Sequence, residues 1–187
     1  MQQQSGKLRG RLQTALDRVT AGLAALKQRN TELGDAGCTL VAAAIEDASL
    51  SWISVGDSSL RLLRAGTIRR LNDDHSMRPV YADLVRSGRM TESQAATNPN
   101  RSALRSALTG ENPSIIDQSK KPITILPGDQ LILASDGLDV LNPKRISEML
   151  IGCSERTPLS AVGAILDAIS NMCNPHQDNV TVVLYRA

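Results

Sequence analysis

The chain has 187 residues, a formal net charge of +2 and 41% hydrophobic residues, which is typical of one globular domain with a sizeable core. The charge is too small, and aromatic residues at 2% are too rare, to predict binding to nucleic acid or to an anionic membrane. No apolar run is long enough to span a bilayer, and the N-terminus lacks the apolar core of a signal peptide. The sequence therefore predicts a cytoplasmic protein.

The first part of the chain predicts one helix followed by an antiparallel meander. Leucine and valine recur at three- and four-residue spacing through residues 8–33, and Gly34 is a plausible stop for this helix. Short apolar runs separated by tight polar turns then predict strands over residues 39–45, 50–55, 60–64 and 67–71.

The rest of the chain mixes helices and strands. Helical patterning over residues 80–87 precedes a polar stretch, residues 88–101, which is too long for a simple connector and predicts a functional loop or flap. A short helix is expected over residues 102–108, and strands over residues 122–126 and from Leu131. Asn142 and Thr157, each followed by proline, predict the starts of two late helices, and Asp178 precedes the last strand.

The order of these elements predicts the fold class. Strands alternate with turns early in the chain, and helices come in pairs late. This order favours an α+β fold, in which an antiparallel β-sandwich is flanked by helices, over a doubly wound parallel sheet.

Three aspartates, Asp57, Asp136 and Asp178, stand near the ends of predicted strands beside small or turn residues. Carboxylate oxygens are ligands that Mg²⁺ and Mn²⁺ prefer, and a pair of such ions can activate water and clamp a phosphate for in-line attack. Acids so far apart in sequence could meet only in a packed fold. Taken singly, each is more simply a turn residue, because an aspartate side chain readily bonds nearby backbone amides.

The other reactive side chains indicate no site. His75 and His176 lie in polar loops and are more simply surface residues. Cys38, Cys153 and Cys173 are widely spaced, which favours reduced and mostly buried thiols over a zinc site or a disulfide framework. No serine stands in a Gly-x-Ser-x-Gly sequence, so no serine nucleophile is indicated.

Six stretches, taken together and in order, resemble the motifs of the PPM-type metal-dependent protein phosphatases, also called protein phosphatase 2C. Each stretch is a weak signal alone, but six in the right order are specific, and they cover roughly Gly34 to Ala187. They are residues 37–43 (GCTLVAA), 55–58 (VGDS), 71–76 (LNDDHS), 88–110 (a flap ending in RSALTG), 127–138 (PGDQLILASDGL) and 178–183 (DNVTVV).

The resemblance implies a β-sandwich flanked by helices, and metal-dependent hydrolysis of phosphoserine or phosphothreonine on proteins, opposing a serine/threonine kinase. It implies that Asp136 and Asp178 bind the catalytic Mn²⁺ or Mg²⁺, and that Asp57 with Asp136 helps to hold a third ion. Two to three ions are expected in the complete domain, with no catalytic residue beyond the metal ligands. The expected neighbours of the metal site are Ser135, Gly137 and Asn179.

The flap, about residues 88–101, is expected to border the substrate through Gly88, Arg89, Thr91 and Asn98. The family normally opens with an Asp-Gly-x-Gly-Gly motif whose aspartate bridges the two central metals, and this sequence has no such motif. The resemblance therefore predicts a domain without its N-terminal part, with residues 1–34 as a helix of the domain and residues 35–187 as its central and C-terminal parts. This chain alone is expected to be weakly active or inactive.

Two other functions stay open at this stage. The first is a non-catalytic, phosphatase-like binding or regulatory module, which the missing bridging aspartate favours. The second is a stress-response phosphatase that acts on small regulatory proteins. The presence of Asp57, Asp136 and Asp178 together argues against the binding module, which has no evident use for all three.

Overall fold

Two antiparallel β-sheets lie at the centre of the fold, and helices pack on their outer faces. The computed structural model describes residues 2–187. In the first sheet β2 is central, and the strands are β1 (Leu40–Glu46), β2 (Ser49–Val55), β5 (Asp117–Gln118) and β6 (Ile123–Thr124). The second sheet has the order β4 (Thr67–Arg70), β3 (Ser59–Arg64), β7 (Gln130–Ala134) and β8 (Val182–Arg186).

Five α-helices are described in residues 2–187, and none of them is both long and apolar enough to cross a membrane. The helices are α1 (Gln2–Arg29), α2 (Arg78–Arg86), α3 (Glu92–Thr97), α4 (Pro143–Gly152) and α5 (Pro158–Ser170). Helix α1 packs on the first sheet, and α4 and α5 pack on the second. Two 3₁₀ helices, Thr31–Leu33 and Asp136–Val140, follow α1 and β7.

The side chains of β2 join the layers, because successive residues of a strand point to opposite faces of the sheet. Leu50 and Trp52 pack between the two sheets, in a cluster that includes Leu60 of β3. Ile53 and Val55 face the other way and pack against leucines of α1. A third apolar cluster lies between the outer face of the second sheet and helices α4 and α5.

This arrangement confirms the predicted α+β fold, with four layers in the order helix, sheet, sheet, helix. The predicted hairpin of β1 and β2 is also confirmed, with Leu40 opposite Val55 and Glu46 opposite Ser49. The division of the chain at residue 34 stays a prediction.

The helix predicted over residues 102–108 is wrong. This segment instead forms single β-bridges, Leu104 to Ser76 and Leu108 to Cys38. Leu108 is 1% exposed and packs in the cluster beneath α1. Tertiary contacts therefore override the weak local helix pattern here.

Two smaller expectations about burial are also wrong. Cys38 and Cys173 are exposed, and only Cys153 is buried among the three thiols. His75, expected at the surface, is 1% exposed, and its Nδ1 accepts a hydrogen bond from the Gly56 backbone N–H at 3.1 Å. Burial lowers the pKa of His75 below its ordinary value, so this ring is held neutral as an acceptor.

Candidate metal centre

The pairing of β3 with β7 brings Asp57 and Asp136 together. The two strands are antiparallel, with Ser59 opposite Ala134. Asp57 lies two residues before Ser59, and Asp136 lies two residues after Ala134. The two aspartates therefore face each other just beyond the ends of neighbouring strands.

The turn that carries Asp57 requires glycine at position 56. Gly56 has φ of +99°, and a Cβ there would lie 2.4 Å from Thr39 Cγ2, so an L side chain would be both strained and too close. The Ser58 hydroxyl lies 2.8 Å from the Thr39 hydroxyl, which ties the turn to the start of β1. Asp57 is only 6% exposed as a result.

The electrostatics of Asp57 indicate a place for a cation. Burial raises the pKa of the Asp57 carboxyl, and the nearby Asp136 carboxylate raises it further. The Arg78 guanidinium opposes both effects and favours the ionised acid. A cation between two neighbouring carboxylates offsets their mutual repulsion.

Arg78, the first residue of α2, supplies that charge. Its Nη2 lies 3.3 Å from Asp136 Oδ2 and 3.7 Å from Asp57 Oδ2. Its Nη1 lies 3.1 Å from Asp139 Oδ2 and 3.9 Å from Asp74 Oδ2. One guanidinium therefore stands among four carboxylates from three separate segments of the chain.

Two of these four carboxylates have a second arginine partner. Asp74 lies 3.4 Å from Arg70 Nη1, and Asp139 forms a short ion pair with Arg61 Nη2. Within the described residues, Arg78 is the only ion-pair partner of Asp57 and Asp136. Asp74 and Asp139, the rim acids of the cluster, therefore each contact two arginines. Asp57 and Asp136, the central acids, contact Arg78 alone within residues 2–187.

The segment that carries Asp178 packs against the residues around Asp136. A Cβ on Gly137 would lie 2.6 Å from the Asn179 carbonyl oxygen and 3.1 Å from that of Asp178, so only glycine allows this approach. The Ser135 hydroxyl donates to the Asn179 carbonyl at 3.2 Å and accepts from the Thr181 N–H at 3.0 Å. Ser135, Gly137 and Asn179, the predicted neighbours of the site, therefore form the support of this segment.

The carboxylate of Asp178 does not take part in the Arg78 cluster. Asp178 is exposed, and its Oδ1 accepts the N–H of the next residue, Asn179, at 2.7 Å. Across residues 2–187, no group of three or more acidic, histidine or cysteine side chains is placed to hold a metal ion. The structure brings Asp57 and Asp136 together, and Asp178 as a metal ligand stays a prediction.

The predicted flap is partly helical, since residues 92–97 form α3 and pack against α2. Thr91 caps α3 by accepting from the Gln94 N–H at 3.2 Å, and Gln94 reciprocates in a capping box. Asn98 accepts a hydrogen bond from the Tyr81 hydroxyl at 3.2 Å. Gly88 has φ of +70°, and the neighbouring Arg89 is exposed.

Sequence reasoning missed the arginines of this cluster and two of its acids. Arg61 is 8% exposed in the middle of an apolar strand, and an arginine in such a position is rarely buried without a partner. That signal could have predicted an ion pair. Arg78 stands in a polar stretch with no such signal, so only the tertiary structure reveals it.

No model of a known protein family matches the chain. Among individual proteins, it is 30% identical over 173 residues to the serine/threonine phosphatase stp of Listeria monocytogenes serotype 4b (strain F2365). The match spans 92% of this chain and 66% of the Listeria protein, so the chain covers slightly less than two thirds of that relative.

The solved structures that resemble this chain are also serine/threonine phosphatases. The crystal structure of the Mycobacterium tuberculosis serine/threonine phosphatase PstP/Ppp superposes with a TM-score of 0.77 at 28% identity, covering 94% of this chain and 70% of that one. The catalytic domain of the serine/threonine protein phosphatase PstP in complex with two manganese ions superposes with a TM-score of 0.67 at 28% identity, covering 88% and 65%. By sequence and by fold, the chain is similar to bacterial serine/threonine phosphatases, among them a PPM phosphatase of Mycobacterium smegmatis.

Proposed function

We propose that this chain takes part in the metal-dependent hydrolysis of phosphoserine or phosphothreonine on proteins, with Asp57, Asp136 and Asp178 as its metal ligands. The observation that carries the proposal is the convergence of Asp57 and Asp136 on one cation position at the ends of β3 and β7. The relatives named as serine/threonine phosphatases support the reaction class. The PstP structure with two manganese ions supports Mn²⁺ as the metal to test first.

The residues present fit a divalent ion at the Asp57–Asp136 pair. Both carboxylates already lie within ion-pair distance of a single nitrogen of Arg78, so this position suits a positive charge. Oxygen ligands of this kind suit Mn²⁺ and Mg²⁺. When bound, such an ion lowers the pKa of water and polarises the phosphoryl group.

The protein's own side chains supply position and charge. Asp57 lies in the Gly56 turn, which is tied to the start of β1, and Asp136 begins the short helix after β7, so both carboxylates are carried on backbone that the sheets hold. The packing of the Asn179 and Asp178 carbonyls on Gly137 holds the backbone of the Asp178 segment beside the residue that follows Asp136. The flap residues Gly88, Arg89, Thr91 and Asn98 are proposed to border the phosphoprotein and to influence which sequences enter.

The chain by itself is expected to turn over substrate slowly. Only two carboxylates converge on the cation position within the described residues, which is fewer than a two-metal centre needs. We expect little or no hydrolysis of a small aryl phosphate, and slow Mn²⁺-dependent release of phosphate from a phosphothreonine peptide.

Phosphate release from the peptide tests the proposal, with Asp136→Asn as the variant and Asp167→Asn as the matched control. Asp167 is an exposed acid on α5, away from the two strand ends. We expect Asp136→Asn to lower the Mn²⁺-dependent rate at least about tenfold, since it removes one ligand charge. A rate that persists in excess chelator, or that is equal in the two variants, would refute the proposal.

A non-catalytic binding module is the second candidate. The observation that favours it is Arg78, which already balances the charge of Asp57 and Asp136 without an ion. Fluorescence polarisation with a labelled phosphothreonine peptide separates the two functions. Tight peptide binding in chelator, together with undetectable Mn²⁺ binding by calorimetry, would favour the module.

A further inference from the structure

We propose that Arg78 is the resident cation of this centre: its guanidinium occupies the position between Asp57 and Asp136 that a divalent ion takes, and the ion binds by displacing it. The inference rests on the proposed metal site, and it adds a residue that controls how readily that site fills. Arg78 lies outside the six stretches that carry the family resemblance, so nothing in those motifs assigns it this role.

Withdrawal of Arg78 leaves the negative charge of Asp57 and Asp136 without a partner among residues 2–187. In the part of the chain that the structure describes, Asp57 and Asp136 form ion pairs with Arg78 alone. Without it, two carboxylates would face each other with no cation in contact, and one of them, Asp57, is 6% exposed. The negative charge of such a pair attracts another cation.

The rim acids, Asp74 and Asp139, do not depend on Arg78 for an ion pair. Asp74 keeps its ion pair with Arg70 at 3.4 Å, and Asp139 keeps its short pair with Arg61. Arg61 Nη1 is buried and has no hydrogen-bond partner within residues 2–187, so it is available to donate a second hydrogen bond to Asp139. After Arg78 withdraws, Asp74 and Asp139 therefore still have an arginine partner, whereas the described residues offer none to Asp57 and Asp136.

None of the contacts that hold the Arg78 guanidinium is short, and it also donates to Ser102 Oγ, at 3.4 Å. Its four contacts with carboxylate oxygens are 3.1 to 3.9 Å long, whereas strong guanidinium–carboxylate hydrogen bonds are about 2.7 to 2.9 Å. Its side chain is 18% exposed, so it has a route to solvent. Its backbone stays in place, because the Arg78 N–H donates to Ser76 Oγ at 3.2 Å.

The consequence is a competition that lowers the apparent metal affinity. An ion must displace a positive charge that already interacts with its ligands, and the site is competent only in the fraction of molecules from which Arg78 has withdrawn. Removing the charge at position 78 should therefore tighten metal binding, although it removes a contact that stabilises the metal-free protein.

Calorimetric titration with Mn²⁺ tests this inference, using wild type, Arg78→Gln, Arg78→Lys and Arg86→Gln. Arg86 is the matched control because it lies on the same helix and forms one exposed ion pair, with Asp83 at 3.0 Å. We expect Arg78→Gln to bind Mn²⁺ at least about tenfold more tightly than wild type, because no guanidinium then has to be displaced from the site. Arg86→Gln should bind as wild type does.

The lysine variant and a second measurement keep the test independent of folding failure. Lysine keeps the charge but cannot bridge several carboxylates as the planar guanidinium does, so Arg78→Lys should bind with intermediate affinity. In wild type, addition of Mg²⁺ should shift the side-chain Nε–Hε NMR resonance of Arg78 and leave that of Arg86 in place.

Two outcomes overturn the inference and can be told apart. If wild type binds Mn²⁺ in a manner that requires Asp136, but Arg78→Gln binds equally or more weakly, Arg78 does not compete and the metal site stands without this role. If neither wild type nor Arg78→Gln binds Mn²⁺, both the metal site and the role of Arg78 are refuted.

Discussion

At the scale of single residues, Gly137 shows how the absence of a side chain positions the centre. The Asn179 carbonyl oxygen lies only 2.6 Å from the position that a Cβ of residue 137 would take. The segment that carries Asp178 can approach Asp136 only because this space is empty. A glycine next to an acid at a strand end is therefore a packing requirement here as well as a family motif.

Substituting this glycine gives the first prediction. Gly137→Ala should destabilise the protein by about 1 to 3 kcal/mol, because the new methyl meets backbone that cannot move alone. It should also weaken Mn²⁺ binding by displacing the Asp178 segment. Urea unfolding and calorimetry measure the two effects.

Gly163→Ala is the control for that change. Gly163 lies inside α5, and a Cβ there would meet no atom within 4 Å. This variant should gain up to about 1 kcal/mol, because alanine favours the helix, and should bind Mn²⁺ as wild type does. Equal effects of the two alanines on Mn²⁺ binding would contradict the packing role of Gly137.

Asp129 gives a second prediction, which concerns pH. Asp129 is 2% exposed and accepts from Arg64 Nε at 2.8 Å and from the Leu126 N–H at 2.8 Å. The hydrogen bond from Arg64 lowers the pKa of this carboxyl below its ordinary value. A lowered pKa in the folded state means stability that is present above the unfolded pKa, about 4, and is lost as the pH falls through the lower, folded value.

Asp129→Asn should therefore cost about 1 to 3 kcal/mol at pH 7 and less at pH 3, because pH 3 lies below the unfolded pKa of about 4 and part of the stabilisation is already lost there. Urea unfolding of both proteins at the two pH values measures the difference. A cost that is the same at both pH values would show that the charge of Asp129 is not what stabilises the turn before β7.

At the scale of elements, α1 is attached to the first sheet by one face. Leu12 and Leu16 pack against Ile53 and Val55 of β2, whereas Leu26, further along the helix, is 52% exposed. One face of the helix is thus part of the core around β2 as far as Leu23, and Leu26 lies outside that core.

This asymmetry gives a third prediction. Leu16 is 2% exposed, and Leu16→Ala should destabilise the protein by about 2 to 5 kcal/mol through lost burial and the cavity left behind. The chemically identical change Leu26→Ala should stay within about 0.5 kcal/mol. Thermal or urea unfolding of both variants checks this, and a small effect at Leu16 would mean that α1 is not docked as described.

The elements that sequence reasoning predicted well are those set by local rules. The cap-and-proline pairs at Asn142 and Thr157 begin α4 and α5, because the cap side chains accept backbone N–H groups of the first turn. The helix expected over residues 102–108 failed because Leu108 is drawn into the core by distant contacts with Cys38 and α1. Local pattern carries no information about such contacts.

At the scale of the whole molecule, the centre is assembled from β-strand ends that are far apart in sequence. Asp57 follows β2 and Asp136 follows β7, and they meet only when β3 and β7 pair. An unfolded chain cannot present both carboxylates to one ion. Metal binding should therefore be linked to folding.

The fourth prediction follows from this linkage. Millimolar Mn²⁺ should raise the unfolding temperature of wild type, with a larger rise for Arg78→Gln and little rise for Asp136→Asn. The fluorescence of Trp52, which is 8% exposed between the sheets, reports the transition. An equal shift in all three proteins would mean that Mn²⁺ acts elsewhere on the chain.

The sequence by itself determined most of the elements and their order, the α+β class and the acids at strand ends, because these depend on periodicity and turn chemistry within short windows. Only the tertiary structure decided that Asp57 and Asp136 face each other, that Asp178 stands apart from them, and that Arg78 lies among the acids. Strand register and the path of a long side chain depend on the whole fold. For that reason the candidate ligands were readable in the sequence, while the cation that balances two of them was not.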